Sequence, residues 1–247
     1  MTTSRDPRRV STPSSLTAGQ PDLAAWNREL NREHAMAHLR ARGGRIVRAI
    51  EARRRRLVAE RVLAGPHARA VDVGCEDGWM TCAWAAACDE VVLLDVDPTP
   101  LEAAARSLEG GADVRTAVAD VTDAAAVAAC LRPGGYDVIV LSALLEHLPD
   151  PDLALEALRP ALAPGGRFVV FVPADGPILA AKRILRATRL GFLVQGLSLE
   201  PAPGHVRLFD RASLAALLGR HGRVTEIAFD PAVLGYLGVV RRPAAEV

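Results

Sequence analysis

The chain has 247 residues, of which 50% are hydrophobic and 24% are charged, so it can bury one α/β-sized core and is not wholly disordered. Its formal net charge of +1 gives no electrostatic argument for nucleic acid, which is therefore an unexpected partner. No apolar run approaches the roughly 20 residues that span a bilayer, so no integral membrane segment is expected.

The N-terminal part is predicted to consist of a tail and a helical extension. Residues 1–20 are rich in Ser, Thr, Pro and Arg and lack the apolar stretch of a secretory signal, which indicates a disordered tail. Residues 21–66 have apolar side chains at helical spacing, and we expect their second helix to run from about Arg45 to Ala64.

This second helix and its approach carry a run of arginines. The run comprises Arg40, Arg42, Arg45, Arg48, Arg53, Arg54, Arg55, Arg56 and Arg61. Because the arginines spread over most of the helix circumference, the pattern favours a solvated helix face. The alternative is a docking surface for an acidic partner.

Residues 67–247 are predicted to form one α/β domain. Short β-branched runs alternate with helical segments, as in a doubly wound parallel sheet. The predicted strands are Ala70–Val73, Val91–Val96, Asp113–Val118, Tyr136–Leu141 and Arg167–Val172, followed by a helix at Arg211–Gly219 and closing strands at Val224–Phe229 and Tyr236–Val240. The third strand is the most polar and suits a sheet edge.

The segment 173–203 interrupts this alternation. It holds an amphipathic stretch, Ile178 to Phe192, and then a loop rich in Gly and Pro. We expect this segment to cover the site as a lid, with contact to a membrane surface as the alternative.

A glycine turn follows the first predicted strand. Gly74 and Gly78 flank the turn, which we expect to lead straight into a helix whose first amides can receive an anion. Asp95 ends the second strand about 20 residues later, where an acid can accept ribose hydroxyls, and Asp120 follows the third strand. Each acid alone is typical of a cap or turn, but together they indicate a nucleotide-type site.

The order of these motifs resembles the class I S-adenosylmethionine-dependent methyltransferases, of the small-molecule type. That family has a D-x-G-x-G-x-G turn, and here Asp72, Gly74 and Gly78 match it while Glu76 replaces the middle glycine. The sequence from Tyr136 to Asp150, with its L-E-H-L-P-D block, resembles the family's fourth strand and the segment after it. The resemblance implies a Rossmann-like, mainly parallel seven-stranded sheet with an antiparallel last strand.

The resemblance also implies residue roles toward S-adenosylmethionine as cofactor. The implied cofactor residues are Asp72, Gly74, Cys75, Gly78, Asp95, Asp120, Val121 and Ser142. Among them, Asp95 would hold the ribose, Asp120 with Val121 would meet the adenine, and Ser142 would lie beside the sulfonium. The carboxylate of Glu76 could crowd the methionine end of the cofactor unless it points to solvent.

Two other functions are weighed against methyl transfer. A nicotinamide dehydrogenase shares the sheet and the ribose acid, but its G-x-G-x-x-G spacing is absent from the turn at Gly74. A catalytically degenerate partner or scaffold subunit is the second alternative, and Glu76 is the residue that raises it. The expected enzyme activity is methyl transfer to an O or N atom of a small-molecule, carrier-linked or lipid-linked acceptor.

His147 and His205 are the candidate catalytic residues. An imidazole can take a proton from an acceptor near neutral pH. His205 belongs to a G-H-x-R segment that is similar to one found after the lid in many small-molecule and quinone-type members of the family. The alternative for His147 is packing or capping at the start of a helix, and for His205 a structural role in shaping the lid.

The four cysteines show no paired C-x-x-C spacing. Cys75, Cys82, Cys88 and Cys130 therefore predict neither a zinc site nor a disulfide, and no metal is expected. Reduced cysteines favour a cytoplasmic location. The sequence carries no prediction of oligomeric state.

Overall fold

The structure is a computed structural model that describes residues 44–65, 69–108, 111–188 and 205–244. The predicted tail, the first predicted helix of the extension and the second half of the predicted lid lie outside the described residues.

The described residues form a seven-stranded sheet with helices on both faces. The helices are α1 (Arg45–Val62), α2 (Pro98–Ser107), α3 (Ala124–Cys130), α4 (Pro151–Leu158), α5 (Asp175–Ala187) and α6 (Arg211–Gly219). The strands are β1 (Arg69–Val73), β2 (Glu90–Asp95), β3 (Asp113–Val118), β4 (Tyr136–Ser142), β5 (Leu162–Pro173), β6 (Arg223–Asp230) and β7 (Gly235–Arg241). Their order is β3-β2-β1-β4-β5-β7-β6, and β7 runs antiparallel to both neighbours. The predicted fold class, with its antiparallel last strand, is confirmed.

The central strands are apolar on both sides because each side meets a separate cluster of buried residues. In β1, Val71 belongs to one cluster with Ile139 of β4, whereas Ala70 belongs to the other with Val138. Successive side chains of a strand point to opposite faces, which explains this division. β3 lies at the sheet edge with most of its residues exposed, as its polar sequence predicted.

β5 begins earlier than expected, at Leu162 instead of Arg167. Leu162 pairs with Tyr136 at the start of β4, and the register then shifts before Arg167 pairs with Val138. Gly166 lies within this irregular part, where an added Cβ would be 3.1 Å from the Tyr136 carbonyl oxygen. A glycine is needed here because two strands approach closely.

α1 is attached to the sheet by several of its arginines. Arg53 donates to Asp230 at 2.9 and 3.1 Å, and Arg61 donates to Glu226 at 2.7 Å, both carboxylates belonging to β6. Arg54 pairs with Glu51 at 2.7 Å, and the Arg55 guanidinium lies 4.8 Å from the centre of the Trp79 ring. These arginines therefore have partners within the chain, so they support the acidic-partner surface less than their number suggested.

Among the described residues, no helix is long and apolar enough to cross a membrane. All four cysteine thiols are free. The amphipathic stretch of the predicted lid forms α5, which begins at Asp175, three residues before the predicted start, and ends at Ala187.

Candidate functional site

The glycine turn after β1 has left-handed backbone at three alternate positions. Gly74, Glu76 and Gly78 have φ values of +69°, +46° and +71°. Such backbone favours glycine, and a residue with a Cβ incurs about 1 to 2 kcal/mol of strain there. The left-handed backbone thus explains why the family pattern has glycine at the middle position. Glu76 adopts the same conformation and is strained by it.

The turn does not lead into the expected helix. Two short 3₁₀ turns, Thr81–Ala83 and Ala85–Ala87, follow it, and the prediction of a helix start there is wrong. Trp84 separates them with φ −140° and is only 1% exposed, because its ring is buried in the core. Burial of this large side chain outweighs continuation of a regular helix. Any ligand at this edge therefore meets the turn itself, not the N-terminus of a helix.

Asp72 is buried beneath the turn. Its carboxylate accepts a hydrogen bond from the Thr81 hydroxyl, with 2.5 Å between Oδ2 and Oγ1. Burial raises the pKa of Asp72 to about 7, since a buried carboxylate loses its hydration. Thr81 was missed in the sequence because a threonine nine residues after the acid gives no periodic signal.

Asp95, at the end of β2, is joined directly to the glycine turn. Its Oδ2 accepts the Glu76 amide at 3.2 Å and its Oδ1 accepts the Asp97 amide at 3.0 Å. Burial raises the pKa of Asp95 as well. Each carboxylate oxygen can accept more than one hydrogen bond, so two ribose hydroxyls can still be accepted. The turn and the second-strand acid therefore form one unit.

Asp120 and Val121 lie at the end of β3, next to Asp95. The Ala119 amide donates to the Asp95 carbonyl oxygen at 3.1 Å, which holds the two strand ends together. Asp120 Oδ1 accepts from the amide and the hydroxyl of Thr122, at 2.8 and 2.7 Å. Val121 is 6% exposed, and its side chain packs in a hydrophobic core cluster.

Ser142 ends β4 on the same edge of the sheet. Its hydroxyl oxygen is buried and has no hydrogen-bond partner among the described residues. The next residue, Ala143, has φ +57° and donates its amide to the Phe171 carbonyl oxygen at 2.8 Å. Leu144 then lies against the glycine turn, 3.1 Å from an ideal Cβ on Gly74. A buried polar atom at this point is suited to a ligand.

His147 and His205 lie together just beyond the end of β4. Their ring centroids are 5.1 Å apart and the rings are inclined at 77°. His147 ends a 3₁₀ turn, Leu145–His147, so it precedes helix α4 instead of starting it. The amides of Val206 and Arg207 donate to the Glu146 carbonyl oxygen at 3.0 and 3.2 Å. The sequence identified both histidines but not their contact.

Comparisons with known proteins identify the family of this chain. A family model described as "Methyltransferase domain" matches residues 37–224. "Ubiquinone biosynthesis O-methyltransferase" from Xanthomonas euvesicatoria pv. vesicatoria is 37% identical over 106 residues, which cover 42% of either chain. The protein of that name from Xylella fastidiosa strain 9a5c is 34% identical over 104 residues, 42% of this chain and 41% of its own. The chain thus matches about two fifths of the length of these relatives.

Solved structures share the fold at low sequence identity. One is the N-methyltransferase NodS from Bradyrhizobium japonicum WM9 in complex with S-adenosyl-L-homocysteine. Its TM-score is 0.56 at 18% identity, and the alignment covers 78% of this chain and 88% of the NodS chain. The CurJ carbon methyltransferase has a TM-score of 0.60 at 15% identity, covering 84% of this chain and 58% of its own. The family match covers most of the chain, and the chain therefore belongs to the methyltransferase-domain family, whose cofactor is S-adenosylmethionine.

Proposed function

We propose that the protein transfers the methyl group of S-adenosylmethionine to an oxygen atom of a small-molecule acceptor. The observation that carries this proposal is the position of His147 and His205, which form a pair directly beyond the end of β4. Ligands of open α/β sheets bind at the carboxyl ends of the strands, so this pair lies on the side where an acceptor would approach.

The residues at the strand ends fit the cofactor. The left-handed turn at Gly74 and Gly78 allows close approach of the methionine part, and Asp95 retains acceptor capacity for the ribose. The buried Ser142 hydroxyl offers a polar contact near the reacting end. Asp120, with one oxygen engaged by Thr122, would reach the adenine through the other. Cys75 is 5% exposed, so its side chain would contribute packing and its backbone the contact.

In this mechanism the chain mainly positions the reactants. When bound, the cofactor supplies a methyl group on a positively charged sulfur. Alignment of an acceptor oxygen with that methyl can remove several kcal/mol of the barrier, because the translational and rotational entropy of the two reactants is already lost on binding. His147 or His205 would take the acceptor proton. The base role of either histidine stays a prediction.

An oxygen acceptor is favoured by the names of the relatives, which are O-methyltransferases. Apolar side chains near the His205 segment suit an acceptor with an apolar body: Val206 is 42% exposed and Leu208 is 64% exposed. On helix α5, Ile184 is 63% exposed, and we propose that the segment 173–203 covers the acceptor. A carrier-linked or lipid-linked acceptor and a cytoplasmic location also remain proposals.

The test is a transfer assay with the purified chain and S-adenosylmethionine labelled in the methyl group. A panel of hydroxylated aromatic compounds is offered beside matched amines, and products are identified by mass. We expect methylation of a hydroxyl and a loss of turnover of about 100-fold or more in His205→Gln, since general acid–base groups contribute about that much. The His221→Gln variant is the control, because His221 contacts Asp152 elsewhere in the fold.

Two outcomes would contradict the proposal. Methylation of amines alone would move the acceptor atom to nitrogen. Failure of the folded protein to bind S-adenosylmethionine or S-adenosylhomocysteine would favour the scaffold alternative. In favour of a working site, Glu76 keeps the left-handed backbone of the turn and donates its amide hydrogen bond to Asp95.

A further inference from the structure

Three side chains beyond the end of β4 have the composition and spacing of a metal site. Glu146, His147 and His205 each offer one ligand atom, and these atoms all lie within 4.8 Å of one another. Bonds of about 2.0 to 2.2 Å to one ion would place such atoms about 3 to 4 Å apart, so small side-chain rotations suffice to close the site. We propose that these three residues bind a divalent transition-metal ion.

The backbone holds the three residues in place although they come from distant parts of the chain. Val206 and Arg207 donate their amides to the carbonyl oxygen of Glu146, and the Arg207 guanidinium donates to the Pro149 carbonyl oxygen at 2.6 Å. His205 is therefore anchored beside Glu146 and His147 by bonds that involve none of the three ligand groups. Such independent support is typical of a preorganised site.

Burial supplies the second argument. Glu146 is 1% exposed, and both carboxylate oxygens are shielded from solvent. A divalent ion favours a carboxylate ligand that is shielded from water, because the attraction between the two charges is stronger in a buried, low-dielectric site. The rings of His147 and His205 meet edge to face with their centroids 5.1 Å apart, and one nitrogen of each ring lies within 4.8 Å of a Glu146 carboxylate oxygen.

The ligand set selects the class of ion. Two imidazoles and one carboxylate suit Zn²⁺, Fe²⁺ or Mn²⁺, whereas Mg²⁺ and Ca²⁺ prefer oxygen ligands alone. Three protein ligands also leave coordination positions open, as in catalytic sites. The absence of a C-x-x-C pair, on which the expectation of no metal was based, does not bear on a Glu-His-His set.

The role of the ion rests on the proposed function. An acceptor hydroxyl bound at an open coordination position of the ion would lose its proton to solvent more readily, as metal-bound water does. The acceptor oxygen then forms its bond to the methyl carbon while the carbon–sulfur bond breaks, and the bonding electron pair stays on sulfur. With the ion bound, His147 and His205 would act as its ligands, and release of the proton to solvent would replace the base role proposed above for either histidine.

The first experiment measures binding of the ion without any acceptor. The full chain is treated with a chelator and dialysed against Zn²⁺ or, separately, Mn²⁺, and bound metal is counted per chain. We expect one more ion per wild-type chain than per chain of Glu146→Gln or His205→Gln, since loss of a ligand abolishes the site. The matched controls are Glu156→Gln, an exposed position of helix α4, and His221→Gln, and both should bind as the wild type does.

Binding of S-adenosylhomocysteine by each variant verifies its fold. Equal metal content in wild type and in correctly folded Glu146→Gln and His205→Gln would overturn the site.

The second experiment repeats the transfer assay with chelator-treated protein. Loss of at least 10-fold in turnover, restored by the ion, supports the role in acceptor activation, and undiminished turnover without metal overturns that role. The two proposals can fail separately. If the variants lose the metal but the wild type methylates no hydroxyl, the metal site is supported and the proposed function is contradicted.

Discussion

Replacement of Asp72 by Asn should remove a pH dependence of stability that the buried carboxyl creates. Burial raises the pKa of Asp72 from 3.8 to about 7, so the folded state holds a proton that the unfolded state releases above pH 4. The free energy of unfolding therefore falls as pH rises from about 4 to 7, by about 1.4 kcal/mol per unit. Between pH 5.5 and 7 the wild type should lose about 2 kcal/mol from this group alone.

The assay is urea unfolding of the wild type and of Asp72→Asn at several pH values from 5.5 to 8. All other ionisable groups are the same in the two proteins, so the difference between the two curves isolates Asp72. The amide of Asn can keep the bond to Thr81, which limits unrelated loss of stability. Equal slopes of stability against pH in the two proteins would refute the assignment of a raised pKa to Asp72.

Two further substitutions test the packing around the site. Ser142→Ala should not lower the free energy of unfolding, because the buried hydroxyl has no partner among the described residues, yet it should lower turnover; thermal unfolding and the transfer assay measure the two effects. Gly235→Ala should destabilise by about 1 to 3 kcal/mol in urea unfolding, since its Cβ would lie 2.2 Å from the Phe171 ring. Gly176→Ala is its control, because nothing lies within 4 Å of the added Cβ, and an equal loss there would contradict the packing argument.

The sheet was predictable because its strands are short apolar runs with clear ends. The bounds of β3 and helix α6 were predicted to the residue, and every other strand end differed by at most one residue except the start of β5. The helix after the glycine turn was wrongly predicted because local propensity favours a helix there, while burial of Trp84 breaks it into two turns. Tertiary packing overrides propensity in such a case.

The site was predictable residue by residue but not in its contacts. Acids and glycines at strand ends follow from the order of the motifs, so Asp72 and Asp95 were identified. The bond from the Glu76 amide to Asp95 depends on how two strand ends meet, which no spacing encodes. Likewise, Glu146 and His205 are 59 residues apart in the chain, and only the folded backbone brings them together.

Cofactor binding at the strand ends can be measured directly by calorimetric titration of the protein with S-adenosylhomocysteine and S-adenosylmethionine. We expect one binding site per chain. The affinity should weaken about 10-fold or more in Asp95→Asn, because a charged acceptor is lost, and stay unchanged in Asp113→Asn at the opposite end of the sheet. Absence of binding to the folded wild type, or equal affinity in wild type and Asp95→Asn, would show that these strand ends do not form the cofactor site.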